Sequence, residues 1–294
     1  MDIGVTGKTS ICGLIGDPVE HTMSPAMHNA AYRQMGLDYV YLPFRVRAEE
    51  LGKAITGMRA LNLRGLNVTI PHKVAVIPVL DKLDPLAEKI GAVNTIVNDN
   101  GVLTGHNTDA TGFLRALLEK GITPEGKNAL VLGAGGASRA VSLILADSGV
   151  ERLEILNRLE ELDWAHKLAA SINQSYQTNA KASELTRQEL VDIMERTNFD
   201  ILVNATSVGM TPDVDNTPVD ADLIQPGLVV FDVVYNPLKT RLLRDAEAAG
   251  AGTVSGIEML AWQGALAFEK WTGQEAPLDL MRNKAIRLLE KHAD

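Results

Sequence analysis

The feature that most constrains the fold is a glycine-rich turn at residues 133–138, directly after the apolar run ALVL at 129–132. A buried strand that ends in such a turn and opens a helix lets backbone N–H groups approach a pyrophosphate at the positive helix end. The spacing is G-x-G-x-x-S, and close helix–strand packing tolerates serine in place of a third glycine. A second apolar run, LEILN at 153–157, comes at Rossmann spacing, so the pattern predicts a doubly wound dinucleotide-binding domain. The residues expected to contact the dinucleotide here are Gly133, Ala134, Gly135, Gly136, Ala137 and Ser138.

Short β-branched runs alternate with amphipathic runs along the chain, which is typical of an α/β fold. Asn100-Gly101 separates two such runs and predicts a β-hairpin of residues 92–98 and 102–106. Residues 121–126, GITPEG, are the best candidate for a domain boundary, and a second α/β unit is expected from 128 to about 255. The other predicted strands are 11–15, 39–44 and 65–69, and the predicted helices are 24–35, 49–60, 71 onward, 109–120, 257–271 and 278–292.

Composition excludes several classes of protein. A net charge of −9 argues against a nucleic-acid surface, which needs a basic face. Cys12 is the one cysteine, so no disulfide framework is expected, and the six histidines lack paired ligand spacing, so no metal is expected. No apolar run approaches the length of a membrane span, and the N-terminus lacks a signal-like apolar core. We therefore expect a cytoplasmic protein whose partner is a small molecule, and the sequence leaves a homodimer open.

Lys73 occupies an electrostatically unusual position. Val68 and Ile70 alternate with polar residues as in a short strand, and Pro71 suits the first position of a helix. Lys73 would then lie in the first helical turn, where the macrodipole disfavours a cation. Such a setting favours an amine that exchanges protons, and the alternative is a solvated lysine at a helix start.

The end of the second Rossmann strand bears on which nicotinamide cofactor is bound. Asn157-Arg158 offers a guanidinium, which suits the 2′-phosphate of NADP, whereas an acidic residue there would bind ribose hydroxyls. Glu160 and Glu161 follow at once, and they could pair with Arg158 or bind the ribose themselves. We expect NADP, with NAD or dual use left open.

Short segments spread over nearly the whole chain carry a further signal: HTMSP at 21–25, NVTIPHK at 67–73, GAVNT at 91–95, GHNTD at 105–109, GAGGASR at 133–139, NATSVGM at 204–210, DVVYNP at 232–237 and QGA at 263–265. With these segments the chain resembles the shikimate dehydrogenase family, including its quinate/shikimate dehydrogenase branch, nearly from end to end. The resemblance implies a two-domain α/β protein, in which residues 1–110 and the helices at 257–294 bind substrate and residues 111–256 bind NAD(P), and we expect the active site in the cleft between these domains. It also implies reversible NADPH-dependent reduction of 3-dehydroshikimate to shikimate, within aromatic amino acid biosynthesis.

Similarity assigns roles to the matching positions. Lys73 and Asp109 resemble the catalytic pair, although a helix N-cap is the alternative for Asp109. Residues that resemble the binders of the substrate carboxylate are Thr22, Ser24 and Tyr235, and those that resemble the binders of the ring hydroxyls are Thr69, Asn94, Asp109 and Gln263. Further positions implied to contact the cofactor are Asn157, Arg158, Thr206, Met210, Val233 and Gly256.

The chain also departs from the family pattern. Thr22 replaces the usual serine, and Leu159 and Leu162 replace the threonine and basic residue that often follow Asn-Arg in NADP-using members. These departures keep an NAD-dependent quinate/shikimate dehydrogenase as an alternative. A folate-type dehydrogenase explains neither Thr22 and Ser24 nor Gln263, and a non-catalytic dinucleotide sensor should have lost Lys73 or Asp109.

Overall fold

The computed structural model describes residues 4–293 and divides the chain into two compact units. The first unit is Met1–Asp109 with Ala261–Asp294, and the second is Ala110–Leu260. The segment 121–126, predicted as a boundary, lies inside the second unit. The reason is that the helix before it packs there, with the Phe113 ring 4.6 Å from that of Phe231.

The first unit is built on a six-stranded mixed sheet in the order β2-β1-β3-β5-β6-β4. Strands β1, β2 and β3 are parallel, whereas β5 pairs antiparallel with both β3 and β6. The elements up to the last strand of this sheet are β1 (Ser10–Gly16), α1 (Ser24–Met35), β2 (Tyr39–Arg45), α2 (Leu51–Ala60), β3 (Gly65–Val68), α3 (His72–Ala75), β4 (Lys82–Leu83), α4 (Pro85–Ile90), β5 (Thr95–Asp99) and β6 (Val102–His106).

The predicted hairpin is confirmed, because β5 and β6 pair antiparallel around Asn100 and Gly101, which both have positive φ angles. Its first strand begins at Thr95 rather than at residue 92. The short elements β4 and α4 are not evident in the apolar pattern. Asp84 caps α4 by accepting a hydrogen bond from the Ala87 N–H at 2.7 Å, and this capping stabilises a helix of only six residues.

The second unit contains a six-stranded sheet in the order β12-β11-β10-β7-β8-β9, with every pairing parallel. This is the doubly wound order that the sequence predicts, with the strand before the glycine-rich turn at the centre. The carboxyl ends of its strands carry the loops at which such sheets bind ligands. The remaining elements are α5 (Thr108–Glu119), β7 (Asn128–Leu132), α6 (Gly136–Asp147), β8 (Arg152–Asn157), α7 (Leu162–Ser175), β9 (Asn179–Glu184), α8 (Arg187–Arg196), β10 (Ile201–Asn204), β11 (Val229–Asp232), α9 (Arg241–Ala248), β12 (Gly252–Ser255), α10 (Gly256–Thr272) and α11 (Leu278–Ala293).

The C-terminal helices anchor the first unit. The Trp271 indole N–H donates to the Ile96 carbonyl at 3.0 Å, and Arg64 Nε donates to the Trp271 carbonyl at 2.8 Å. These bonds fix the end of α10 against β3 and β5. Within residues 4–293, none of the helices combines the length and apolar character that a membrane crossing requires. In the same range, no three His, Cys, Asp or Glu side chains gather as a metal site would need.

Candidate active site

Lys73 and Asp109 form a direct ion pair in the first unit. Lys73 Nζ donates to Asp109 Oδ2 at 2.6 Å, and the two side chains are only 22% and 13% exposed. The expected helix is shorter than predicted, since α3 is the single turn His72–Ala75 with Pro71 at its N-cap. One turn sums few peptide dipoles, so the neighbouring carboxylate, rather than a macrodipole, dominates the field at this amine.

The backbone around Lys73 is held on both sides. The buried His72 ring donates from Nε2 to the Val46 carbonyl at 2.7 Å. The Lys73 carbonyl accepts from the Val93 N–H at 2.8 Å. His72 thus fixes the short helix from which Lys73 extends, a role that the sequence did not reveal because its partner lies on a distant loop.

Asp109 lies in the first turn of α5, which begins at Thr108, so it is not the N-cap. A carboxylate is stabilised near the positive end of a twelve-residue helix. Asn94 holds this turn in place: its Oδ1 accepts from the Thr108 N–H at 2.7 Å, and its Nδ2 donates to Thr108 Oγ1 at 3.0 Å. Asn94 is buried, and its bond to Thr108 Oγ1 uses one of its two amide hydrogens.

Ser24 and Thr22 lie together at the start of α1. Ser24 is the first residue of the helix rather than its N-cap, and its N–H donates to Thr22 Oγ1 at 3.4 Å. The Ser24 side chain also hydrogen-bonds to Tyr41, whose hydroxyl donates to Asn67 Oδ1 at 2.7 Å. Desolvation raises the pKa of Tyr41 well above its ordinary value, so this hydroxyl stays protonated as a donor.

The other predicted substrate residues fall in both units. Thr69 follows β3 directly, and its N–H donates to the Ile15 carbonyl at 3.0 Å. Gln263 lies half-buried on α10, one residue before Gly264, where a Cβ would be 3.2 Å from the Met27 Cε of α1. Tyr235 belongs to the second unit, and burial raises the pKa of its hydroxyl. Roles in substrate binding stay predictions for all of these residues.

The glycine-rich turn has the conformation that a dinucleotide cradle needs. Gly133 has φ of 103°, and a Cβ there would lie 3.1 Å from the Ala205 carbonyl oxygen. Gly135 is the N-cap of α6, which begins at Gly136. The Ser138 hydroxyl donates to the Gly133 carbonyl. The serine that replaces the third glycine therefore stabilises the turn by a hydrogen bond between its two ends.

The loops that follow the neighbouring strands of this sheet bring further predicted cofactor residues together. A Cβ at Gly133 would lie 3.2 Å from Thr206 Cγ2, in the loop after β10. A Cβ at Gly256 would lie 2.3 Å from the Val233 carbonyl oxygen, so these two residues pack directly on one another. Met210 is 46% exposed in the loop after β10. Thr206, Val233 and Gly256 thus all lie at the carboxyl edge of the sheet, each just after one of its strands.

In the loop after β8, Arg158 pairs with Glu161 and not with Glu160. The guanidinium forms an ion pair with Glu161, whereas Glu160 makes no ion pair with it. The hydrogen bond to Arg158 holds the pKa of the Glu161 carboxyl below its usual range. Asn157 Nδ2 donates to the Glu161 carbonyl at 2.8 Å and fixes the short turn. Arg158 itself is 67% exposed and therefore accessible to an anionic ligand.

Comparisons with known proteins agree on one family. A model described as the shikimate dehydrogenase substrate binding domain matches residues 14–96, and one described as the shikimate 5'-dehydrogenase C-terminal domain matches residues 256–286. Two relatives, both named shikimate dehydrogenase (NADP(+)), come from Methanopyrus kandleri (49% identity, covering 98% of this chain and 99% of the relative) and Desulforamulus reducens (48%, covering 95% of each). The crystal structure of shikimate 5-dehydrogenase from Listeria monocytogenes, in complex with shikimate and NAD, matches with a TM-score of 0.90 and 45% identity, covering 95% of this chain and 97% of that one. The chain therefore belongs to the shikimate dehydrogenase family.

Proposed function

We propose that this protein is a cytoplasmic shikimate dehydrogenase, which reversibly reduces 3-dehydroshikimate to shikimate with NADPH in aromatic amino acid biosynthesis. The observation that carries the proposal is the Lys73–Asp109 pair, with its 2.6 Å contact and limited exposure. The first unit would bind the substrate, because the substrate-binding family model matches within it. The second unit would bind the cofactor, because it contains the glycine-rich turn.

The residues of the second unit fit a dinucleotide. Gly135 and Gly136 are exposed, and no atom lies within 4 Å of where a Cβ on Gly135 would be, so the turn leaves its backbone accessible to a pyrophosphate. Arg158 would hold the 2′-phosphate of NADP, since a guanidinium binds phosphate through paired hydrogen bonds. When bound, NADPH supplies the hydride that reduces the ketone.

Lys73 and Asp109 would handle the proton. As the ketone is reduced, negative charge develops on its oxygen, and the Lys73 ammonium stabilises that charge and then donates a proton. Asp109 would keep the ammonium oriented through their 2.6 Å contact. In the reverse direction, the neutral amine of Lys73 accepts the proton of the substrate hydroxyl.

An NAD-dependent quinate/shikimate dehydrogenase is the second candidate. The observation in its favour is that Glu161 already occupies the Arg158 guanidinium, which weakens the attraction for a 2′-phosphate. The NAD complex of the Listeria relative is consistent with use of that cofactor in the family.

An absorbance assay at the nicotinamide band with shikimate or quinate and with NADP or NAD separates these candidates. We expect the highest catalytic efficiency with shikimate and NADP. A preference for NAD of about tenfold or more would favour the second candidate, and no turnover with any combination would contradict both.

Lys73→Ala tests the mechanism. We expect it to lower kcat by about a hundredfold or more while the binding of cofactor and substrate stays nearly intact, which is the usual loss for a missing acid–base group. Lys53→Ala is the control, because Lys53 is 79% exposed on α2 and forms a surface ion pair with Glu50. Near-normal turnover in a folded Lys73→Ala protein would remove this residue from the mechanism.

A further inference from the structure

Asp232 is a fully buried carboxylate at the end of β11, and neutral groups satisfy it. Its Oδ1 accepts from Asn204 Nδ2 at 2.9 Å and from the Val234 N–H at 3.0 Å. Its Oδ2 accepts from Thr240 Oγ1 at 2.6 Å. Burial raises the pKa of this carboxyl to about 6, so the carboxylate is kept in an environment that disfavours its charge. Packing alone would favour an apolar side chain at position 232, so stability of the core does not explain why a carboxylate is present there.

The hydrogen-bond network continues through Asn204 into the loop after β10. Its Oδ1 accepts from the Thr206 N–H at 3.1 Å and from Thr206 Oγ1 at 2.6 Å. Thr206 Oγ1 in turn accepts from the Val208 N–H at 3.1 Å. Asp232 therefore orients the Asn204 amide, and that amide fixes Thr206 beside the glycine-rich turn.

The same carboxylate fixes the loop after β11. Its bond to the Val234 N–H sets the backbone next to Val233, against which Gly256 packs. Its bond to Thr240 ties the far end of this loop, where Thr240 caps α9. The loops after β10 and β11, which both carry predicted cofactor contacts, are thus held by the single side chain of Asp232.

We propose that Asp232 is a positioning residue for the dinucleotide site, which locks the loops at 204–208 and 232–240 into the geometry that binds the cofactor. The inference rests on the proposed function, in which the second unit binds NADPH. It assigns Asp232 to cofactor affinity and not to proton transfer, because Lys73 and Asp109 belong to the first unit.

Two substitutions at Asp232 test the proposal by steady-state kinetics and by fluorescence titration of NADPH binding without substrate. Asp232→Ala should raise the KM and Kd for NADPH about tenfold or more, while kcat and the KM for 3-dehydroshikimate change by less than about threefold. Asp232→Asn should bind NADPH within about threefold of the wild type, because its Oδ1 can accept from Asn204 and Val234 and its Nδ2 can donate to Thr240. Rescue by asparagine would show that the hydrogen bonds, not the charge, position the loops.

A milder matched pair guards against misfolding of Asp232→Ala. Thr240→Val removes one bond to Asp232 together with the cap of α9, whereas Thr178→Val removes a comparable buried bond, from Thr178 Oγ1 to the Val150 carbonyl at 2.7 Å, at the amino end of the sheet. We expect Thr240→Val to weaken NADPH binding about three- to tenfold and Thr178→Val to leave it unchanged.

The two proposals fail in different ways. Absence of NADPH binding by the wild type would contradict the proposed function. If the wild type binds NADPH and Thr240→Val binds it as tightly as Thr178→Val does, the positioning role is wrong. Equal losses of kcat and NADPH affinity in a folded Asp232→Ala protein would also overturn it.

Discussion

His28 predicts a measurable dependence of stability on pH. Its ring is fully buried in α1 and stacks on the Tyr41 ring, with centroids 4.4 Å apart and planes 3° from parallel. Neither ring nitrogen has a hydrogen-bond partner among the residues that the structure describes. Desolvation therefore lowers the pKa of His28 to about 3, and the folded protein keeps this imidazole neutral down to that pH.

The sign and size of the effect follow from proton binding. In the unfolded chain, histidine takes up a proton below a pH of about 6.5, whereas folded His28 does so only below about 3. Between these values the unfolded state binds more protons, so stability is fully present above about pH 6.5 and falls as pH decreases. At pH 5 the loss is 1.5 pH units times 1.36 kcal/mol, or about 2 kcal/mol.

Replacement of the imidazole removes this contribution. We expect urea unfolding, followed by tryptophan fluorescence, to show that wild type loses about 2 kcal/mol more than His28→Leu between pH 8 and pH 5. Other titrating groups cancel in this difference, and His166→Gln, at an exposed position on α7, should behave like the wild type. Equal pH dependence in wild type and His28→Leu, or in wild type and His28→Phe if the leucine variant does not fold, would refute the reasoning.

Two further predictions concern cofactor choice and packing. Arg158→Ala should raise the KM for NADP about tenfold or more with little effect on NAD, and Glu161→Gln, which frees the guanidinium, should raise the NADP-to-NAD ratio of catalytic efficiencies about two- to fivefold. An unchanged ratio in both variants would mean that Arg158 does not contact the phosphate. Gly65→Ala would place a Cβ 1.9 Å from Trp271 Nε1 and should destabilise the fold by about 1–3 kcal/mol in thermal unfolding, whereas Gly52→Ala, with no atom within 4 Å, should not. A Gly65→Ala protein as stable as Gly52→Ala would contradict this account of the contact.

Features that depend on neighbouring residues were predictable from the sequence. The glycine-rich turn, the strand before it and the helix after it form one continuous segment, and Asn100-Gly101 places the turn of the hairpin. Local backbone preferences and spacing along the chain carry this information, so a single sequence is sufficient to read it. The pairing of Lys73 with Asp109 came only from the resemblance to the family, and the structure places the two side chains in contact.

Contacts between distant parts of the chain were decided only by the tertiary structure. The sequence predicted a helix dipole at Lys73, whereas α3 is a single turn and the neighbouring charge comes from Asp109, 36 residues away. Asn204 and Asp232 are 28 residues apart and meet because β10 and β11 are adjacent in the sheet. His28 has no local signal of burial, since its environment is made by Tyr41 and Trp271. The order of the strands and the packing of the helices determine these partners. The free energy of a buried polar group depends on the desolvation and hydrogen bonds that its surroundings in space provide, and residues adjacent in sequence do not determine those surroundings.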